Sequence, residues 1–281
     1  MKNCLFVLFV WGLAISAMAQ SDSLYLSGRF WAVNKGTSLG IGSAKVYDTY
    51  LSPLEYTGTA YSFQHERISR KKKFDGKLIK QQIFNLNFTD TENPAGNASA
   101  YSLLGEYRLG FHYPVYAAGH FRIRTGAVWN IGGGAIYNER NSNNPASAKA
   151  YTNLNLSGQT FYQLGSCVLR WQLDVPFAGV FFTPEYGESY YEISLGNHSN
   201  LFHFSSFHNQ RSLLSNLSAD FPISNWTIRM SLQSSFLQTR ANSLISHIYT
   251  QNILIGLVSE SVNLGGRKLR KTSVFRSAFS E

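Results

Sequence analysis

Polar and apolar positions along the chain alternate with a period of two. In 101–113 the odd positions are Tyr101, Leu103, Gly105, Tyr107, Leu109, Phe111 and Tyr113. The even positions are Ser102, Leu104, Glu106, Arg108, Gly110 and His112. A β-strand turns successive side chains to opposite faces, so this segment reads as a strand with one aromatic, apolar face and one mostly polar face. The next segment repeats it: Phe121, Ile123, Thr125, Ala127, Trp129 and Ile131 oppose His120, Arg122, Arg124, Gly126, Val128 and Asn130. Cys167, Leu169, Trp171, Leu173 and Val175 oppose Ser166, Val168, Arg170, Gln172 and Asp174. Leu213 to Phe221 and Trp226 to Phe236 alternate in the same way, and Phe84, Leu86 and Phe88 oppose Ile83, Asn85 and Asn87.

The alternation predicts strands at 37–48, 56–70, 77–90, 100–113, 119–138, 150–175, 179–196, 211–221, 226–240 and 244–258. Eight or twelve strands are the alternatives, because 150–175 is long enough to hide a bend. Three segments share one form, polar–apolar–Pro–apolar: His112 to Val115, Asp174 to Phe177 and Asp220 to Ile223. Proline has no N–H to give a ladder, so each is expected in a turn. Counting strands puts the three prolines on one rim, together with both termini. That rim is expected to be periplasmic, and the Asn-rich connections 139–149 and 197–210 become outer loops.

A soluble antiparallel sandwich also alternates. Two features favour a membrane barrel. Several strands reach the roughly 9–11 residues that cross a bilayer, and aromatic residues stand near their ends, as interfacial girdles do. Tyr113, Phe121, Trp171, Phe221 and Trp226 are the examples. The chain carries 16 Tyr, 20 Phe and 5 Trp. The expected fold is therefore all-β: a single antiparallel transmembrane β-barrel of about ten strands.

The first residues read as a secretory signal. Lys2 is the positive n-region, Leu5 to Ile15 the apolar stretch, and Ala17-Met18-Ala19 a small-x-small site with cutting before Gln20. Cleavage removes Cys4 and leaves Cys167 as the one thiol, so no internal disulfide forms. The formal charge falls from +9 to +8, since Lys2 is the one charged residue lost. About 260 residues remain, enough for one barrel or two small domains, and no low-complexity linker divides them. The expected organisation is a signal peptide over 1–19, an N-terminal periplasmic segment over 20–36, a barrel over 37–258 and a basic tail or displaced last strand over 259–281. The expected location is the outer membrane.

Three stretches carry a resemblance: Leu51-Ser52-Pro53-Leu54-Glu55-Tyr56, Phe181-Phe182-Thr183-Pro184-Glu185-Tyr186-Gly187 and Phe207-His208-Asn209-Gln210-Arg211-Ser212-Leu213. They are similar to recurring segments of a Bacteroidota-type family of exported proteins of unknown function. The resemblance runs from about 37 to about 258 and implies an outer-membrane barrel, with no activity, cofactor or catalytic residue. The chain departs from the usual barrel pattern at its end. It finishes Ala278-Phe279-Ser280-Glu281 after the basic run Arg267-Lys268-Leu269-Arg270-Lys271, where such barrels commonly close on an aromatic residue that the assembly machinery reads.

The sharpest candidate for chemistry is His203-Phe204-Ser205, since an i, i+2 spacing puts imidazole and hydroxyl on one face of a strand. The pair resembles that of membrane-embedded phospholipases and lipid A deacylases, which place an orienting Asn or Glu about twelve residues after the serine. Here Leu217 stands at that place, with Asn216 beside it. His198, His203 and His208 lie five apart, an odd spacing that alternates faces and holds no metal. Glu106, Arg108, His120, Arg122, Arg124, Arg170, Asp174, Asp220 and Arg229 fall on the polar faces, where a narrow barrel buries them as paired charges. A pore for small anions is the functional alternative to that salt-bridge network. Lys71-Lys72-Lys73 and the basic tail suit anionic lipid or lipopolysaccharide rather than nucleic acid, which an exported protein does not meet. The reading is a non-enzymatic barrel with a structural, solute-passage or surface-binding role, without cofactor. The alternative is a lipid hydrolase using His203 and Ser205.

Overall fold

The computed structural model describes residues 26–71, 77–142, 144–196, 200–223, 226–262 and 273–276. Its strands are β1 (Leu26–Asp48), β2 (Ser52–Arg70), β3 (Ile79–Glu92), β4 (Ser99–Ala118), β5 (Phe121–Asn138) and β6 (Ala146–Leu164). They continue with β7 (Cys167–Phe182), a short helix α1 (Tyr190–Ser194), β8 (Phe202–Ser205), β9 (Gln210–Ile223), β10 (Trp226–Ala241), β11 (Leu244–Val262) and β12 (Ser273–Arg276). Ten of them, β1 to β7 and β9 to β11, follow one another around a closed antiparallel barrel, sealed by β1 pairing with β11 from Ala32↔Val262 to Asp48↔Ser246. Closure gives each of these ten strands two neighbours, so the barrel wall satisfies its backbone groups without an open edge.

The start of β1 and the end of β11 share one rim, called lower here. Two-residue turns at Gly119–His120 and Gly165–Ser166 lie on it. Gly165 has φ of 60°, the left-handed conformation that such hairpins require. The connections 93–98, 139–145 and 183–201 lie on the upper rim, and β2 and β3 are joined on the lower rim through 71–78.

The Gly165–Ser166 hairpin divides the strand expected at 150–175, which is β6 and β7 in succession. The strand expected at 179–196 is not one: β7 ends at Phe182, and a capping box between Ser189 and Glu192 starts α1. The prolines also differ from expectation. Pro114 lies inside β4 and Pro176 inside β7, each beside a register shift, and Pro222 is paired with Thr227 near the end of β9. A bulge interrupts the ladder where proline has no N–H to offer, so bulges rather than turns accommodate the first two. Pro114 and Pro222 stand towards the lower rim, while Pro176 opposes Asn155 well up β7. Residues 26–36, expected as a periplasmic segment, belong to β1, whose Leu26 to Trp31 extension pairs in parallel with β12. Near this rim Lys35 faces out and Asn34 in, so no apolar–polar contrast marks the strand. The signal peptide expected over 1–19 and the basic run 267–271 lie outside the described residues.

The faces follow the alternation. Leu103, Trp129, Trp171 and Trp226 point outward in a band, with exposures of 41–50%. Arg108, Arg124, Arg170 and Arg229 are buried in the interior. His120, expected inward, is exposed in the β4–β5 turn, because the strand begins one residue later.

Cysteine labelling in vesicles, on a Cys167→Ala background, tests this register. Leu217→Cys, Met230→Cys and Ile253→Cys are expected to react with a bilayer-soluble maleimide and resist a charged one. Ser218→Cys and Ser231→Cys are expected to be protected from both. Ready labelling of the first set by the charged reagent would mean that the faces are reversed.

Candidate functional site

The interior of the barrel is organised around the carboxylate of Glu66. Tyr61 and Phe63 of β2 face outward, so Ser62, Gln64 and Glu66 face inward and are buried. Arg170 of β7 meets Glu66 with two parallel bonds, Nη1 to Oε1 and Nη2 to Oε2, each 2.9 Å. Arg229 of β10 donates to the same Oε2 and holds Asp220 of β9 through Nε at 2.6 Å and Nη2 at 2.7 Å. Each fork matches a planar guanidinium to a carboxylate, the strongest geometry for such a pair. β2 pairs only with β1 and β3 among its ladder neighbours, so the Glu66 contacts to β7 and β10 cross the lumen.

Amides extend the network to the other wall. Gln81 of β3 donates to Glu66 Oε1 at 2.6 Å and to Gln172 Oε1 at 2.8 Å. Gln159 of β6 donates to both Gln81 and Gln172, at 3.1 and 3.0 Å. Gln172 donates to both oxygens of Asp174, which also accepts from Ser157 Oγ, itself 2.9 Å from His112 Nε2. Arg108 of β4 is 3.6 Å from Asp174, an ion pair that completes the circuit. Ions placed in so dry an interior cost several kcal/mol each unless paired and hydrogen-bonded; Glu66, Arg170, Arg229 and Asp220 meet both conditions, while Arg108 is paired with Asp174 by charge alone.

Above the network the lumen turns apolar: Val46, Tyr56, Ala98, Ala100, Leu104, Ile136 and Ile248 form one buried cluster, with Leu51 and Leu237 against it. A void lined by Asn87, Glu106, Arg108, Asn130, Tyr151 and Asp174, among others, offers about 20 Å³ to water-sized occupants. That is room for roughly one or two waters. The upper rim is strapped across. Tyr50 donates to Glu188 O at 2.6 Å, Tyr190 Oη accepts from Ala148 N at 2.6 Å, and Lys149 pairs with Asp48 at 2.7 Å. Burial, then the negative charge of Tyr190, Asp48 and neighbouring carboxylates, pushes Tyr50 up to about 12, so it stays a neutral donor at physiological pH.

His203 and Ser205 share the inner face of β8, which pairs with the upper end of β7. Their roles differ from those of a nucleophile pair. Ser205 is fully buried and its hydroxyl donates to Gln210 Oε1, while the His203 ring packs against Phe181 at 5.6 Å. His203 Nε2 has no hydrogen-bond partner among the described residues, and Asn216 is six strand positions below Gln210 in β9 rather than beside the imidazole. His208 bonds Ser206 in the adjacent loop, and His198 lies outside the described residues. Among the described residues no three potential metal ligands gather. Of the inward charges expected from sequence, Arg108, Arg170, Asp174, Asp220 and Arg229 join the network, Glu106 bonds Tyr151 and Asn130, and Arg124 lies over Phe161 at 4.3 Å. The sequence reading missed Glu66, although extending the Tyr61–Phe63 alternation by three residues places it inward.

A closed ten-stranded barrel with an outward apolar band and a side-chain-filled interior is an outer-membrane type of β-barrel. The chain belongs to the family described as protein of unknown function (DUF3316), whose model matches residues 4–268. The match agrees with the resemblance to a family without assigned function and does not bear on its phylum. No curated protein matches the chain. Among solved structures it is similar to the outer-membrane protease OmpT of Escherichia coli, at 9% identity over 86% of this chain and 100% of that one, TM-score 0.49. It is similar also to the transport unit of the Escherichia coli autotransporter AIDA-I, at 12% identity over 90% and 96%, TM-score 0.48. A third is the translocator domain of NalP from Neisseria meningitidis, at 9% identity over 92% and 97%, TM-score 0.37.

Truncating Glu66 leaves two buried guanidinium groups facing each other. Glu66→Ala is expected to lower the unfolding free energy of the refolded protein in detergent by about 3–5 kcal/mol. Gln81→Ala removes neutral bonds and is expected to cost roughly 1–3 kcal/mol. Guanidinium titrations followed by tryptophan fluorescence measure both. A Glu66→Ala variant as stable as the parent would show that the carboxylate does not hold the barrel together.

Proposed function

We propose that this protein resides in the outer membrane as a non-enzymatic barrel whose lumen is not a solute pore and whose function is exercised at its outer rim and lipid-facing surface. The observation that carries the reading is the Glu66 carboxylate bridging Arg170 and Arg229 across the lumen. A hydrated pore would be expected to line its walls with separated charges. Here opposite charges meet in the middle and neutralise one another, and the apolar cluster above them adds a second obstruction. In this reading the leader over 1–19 brings the chain to the periplasm, the assembly machinery inserts it, and the lower rim faces the periplasm. The two-residue turns Gly119–His120 and Gly165–Ser166 below and the long connection 183–201 above support that orientation.

The lipid-hydrolase reading has the His203–Ser205 spacing in its favour, and the Ser205 bond to Gln210 against it. Hydrolysis of phospholipid or lipid A by the parent, lost in Ser205→Ala, would restore it.

Planar-bilayer recording tests the closed lumen. The refolded parent is expected to add no stepwise conductance to the bare membrane. Uniform, repeated openings by the unmodified protein would contradict the proposal and favour the small-anion pore.

A further inference from the structure

The outward face of β9, β10 and β11 is layered in register. Leu217, Leu232 and Ile253 form one apolar row; Ser215, Ser234 and Gln251 form the row above. Leu213, Phe236 and Tyr249 come next, then Arg211, Gln238 and His247. Successive rows lie about 6.6 Å apart along a strand. From the bilayer outward the surface therefore offers aliphatic contact, short polar groups, aromatic rings and finally a polar row that carries the Arg211 guanidinium.

At the top of this ladder is an open cleft of about 340 Å³, lined by Phe207, Arg211, Leu213, Phe236, Gln238 and Tyr249, among others. It exists because β8 and β9, which follow the same side of β7, are interrupted by the loop 206–209. That loop is fixed. Asn209 Oδ1 accepts from Ser206 N at 2.9 Å, Asn209 Nδ2 donates to Phe204 O at 2.7 Å, and Asn209 O accepts from Arg240 N at 2.7 Å. Phe207 stands out from it, 54% exposed, and the Phe236 and Tyr249 rings meet edge-on at 5.4 Å.

Arg211 faces Gln238, and Arg240 lies two residues further along the same outward face, a diagonal separation that two long side chains span easily. Both arginines are exposed, and neither guanidinium has a hydrogen bond or ion pair among the described residues. The nearby carboxylate, Glu55 of β2, is engaged by His247 at 3.0 Å and Lys45 at 3.4 Å. Two free guanidinium groups above aromatic rings and an aliphatic band suit one ligand: a phosphorylated glycolipid of the outer leaflet. Its phosphate would take the arginine forks, its sugar the aromatic rings, and its acyl chains the apolar row.

We propose that Arg211 and Arg240, with the Phe207–Phe236–Tyr249 cleft, form a binding site for the phosphorylated sugar headgroup of an outer-leaflet glycolipid. The proposal rests on the outer-membrane reading above, but not on the closed lumen, so bilayer conductance and lipid binding fail separately. Binding of bisphosphorylated lipid A to the refolded full chain in neutral detergent is the test. Arg211→Gln with Arg240→Gln is expected to weaken it about tenfold or more, as two headgroup-level charges imply. Dephosphorylating the probe is expected to do the same to the unmodified protein, which tests the site without any substitution. Equal binding by parent and double variant would overturn the site. Equal binding of lipid A with and without phosphate, or of phosphatidylglycerol and lipid A, would overturn the assigned ligand.

Discussion

The structure depends on a single buried carboxylate held between two guanidinium groups. Glu66 reaches from β2 to Arg170 on β7 and Arg229 on β10, so one side chain couples three strands that share no ladder. Ladder bonds alone fix neighbours and leave the cross-section of a barrel free to deform. A charged contact across the lumen fixes the cross-section as well. Its strength comes from the dry surroundings, where an unpaired ion is costly and a forked pair is favoured. The glutamines and Asp174 distribute the same constraint to β3, β4 and β6.

That constraint separates the inside of the protein from its surface. The interior is filled by side chains and crossed by the ion-paired network, so in the proposed function recognition falls to the outside: the strapped upper rim and the layered face of β9 to β11. The loop 206–209 belongs to both. It closes β8 against β7, gives Ser205 a buried partner in Gln210, and opens the cleft beneath Phe207. The segment Phe207 to Leu213, one of those that carry the family resemblance, thereby has a structural reason for its composition. Asn209 fixes the loop, Gln210 faces in and Arg211 faces out.

Much of this fold is legible in the sequence because a barrel wall is two-faced, and alternation of Trp129 with Asn130 or of Trp171 with Gln172 states the face directly. The strand number, ten, also agrees, though through two offsetting differences: the hairpin at Gly165 hides between two alternating runs, and the segment after Phe182 alternates no further but forms α1. The prolines mislead because bulges and turns both suit a residue without an N–H. The network was legible only in part. Arginines and aspartates announce themselves as buried charges, whereas Gln81, Gln159 and Gln172 look like ordinary surface residues, and pairing across a lumen leaves no trace in sequence spacing. Glu66 to Arg229 spans 163 positions.

The most direct measurement is a double-mutant cycle on Glu66 and Arg170, read by equilibrium unfolding of the parent, Glu66→Ala, Arg170→Ala and the double variant in one detergent. If the charged contact across the lumen organises the barrel, the two substitutions are coupled by more than about 1.5 kcal/mol, the double variant being far more stable than the sum of the single losses implies. Additivity to within about 0.5 kcal/mol would contradict the account.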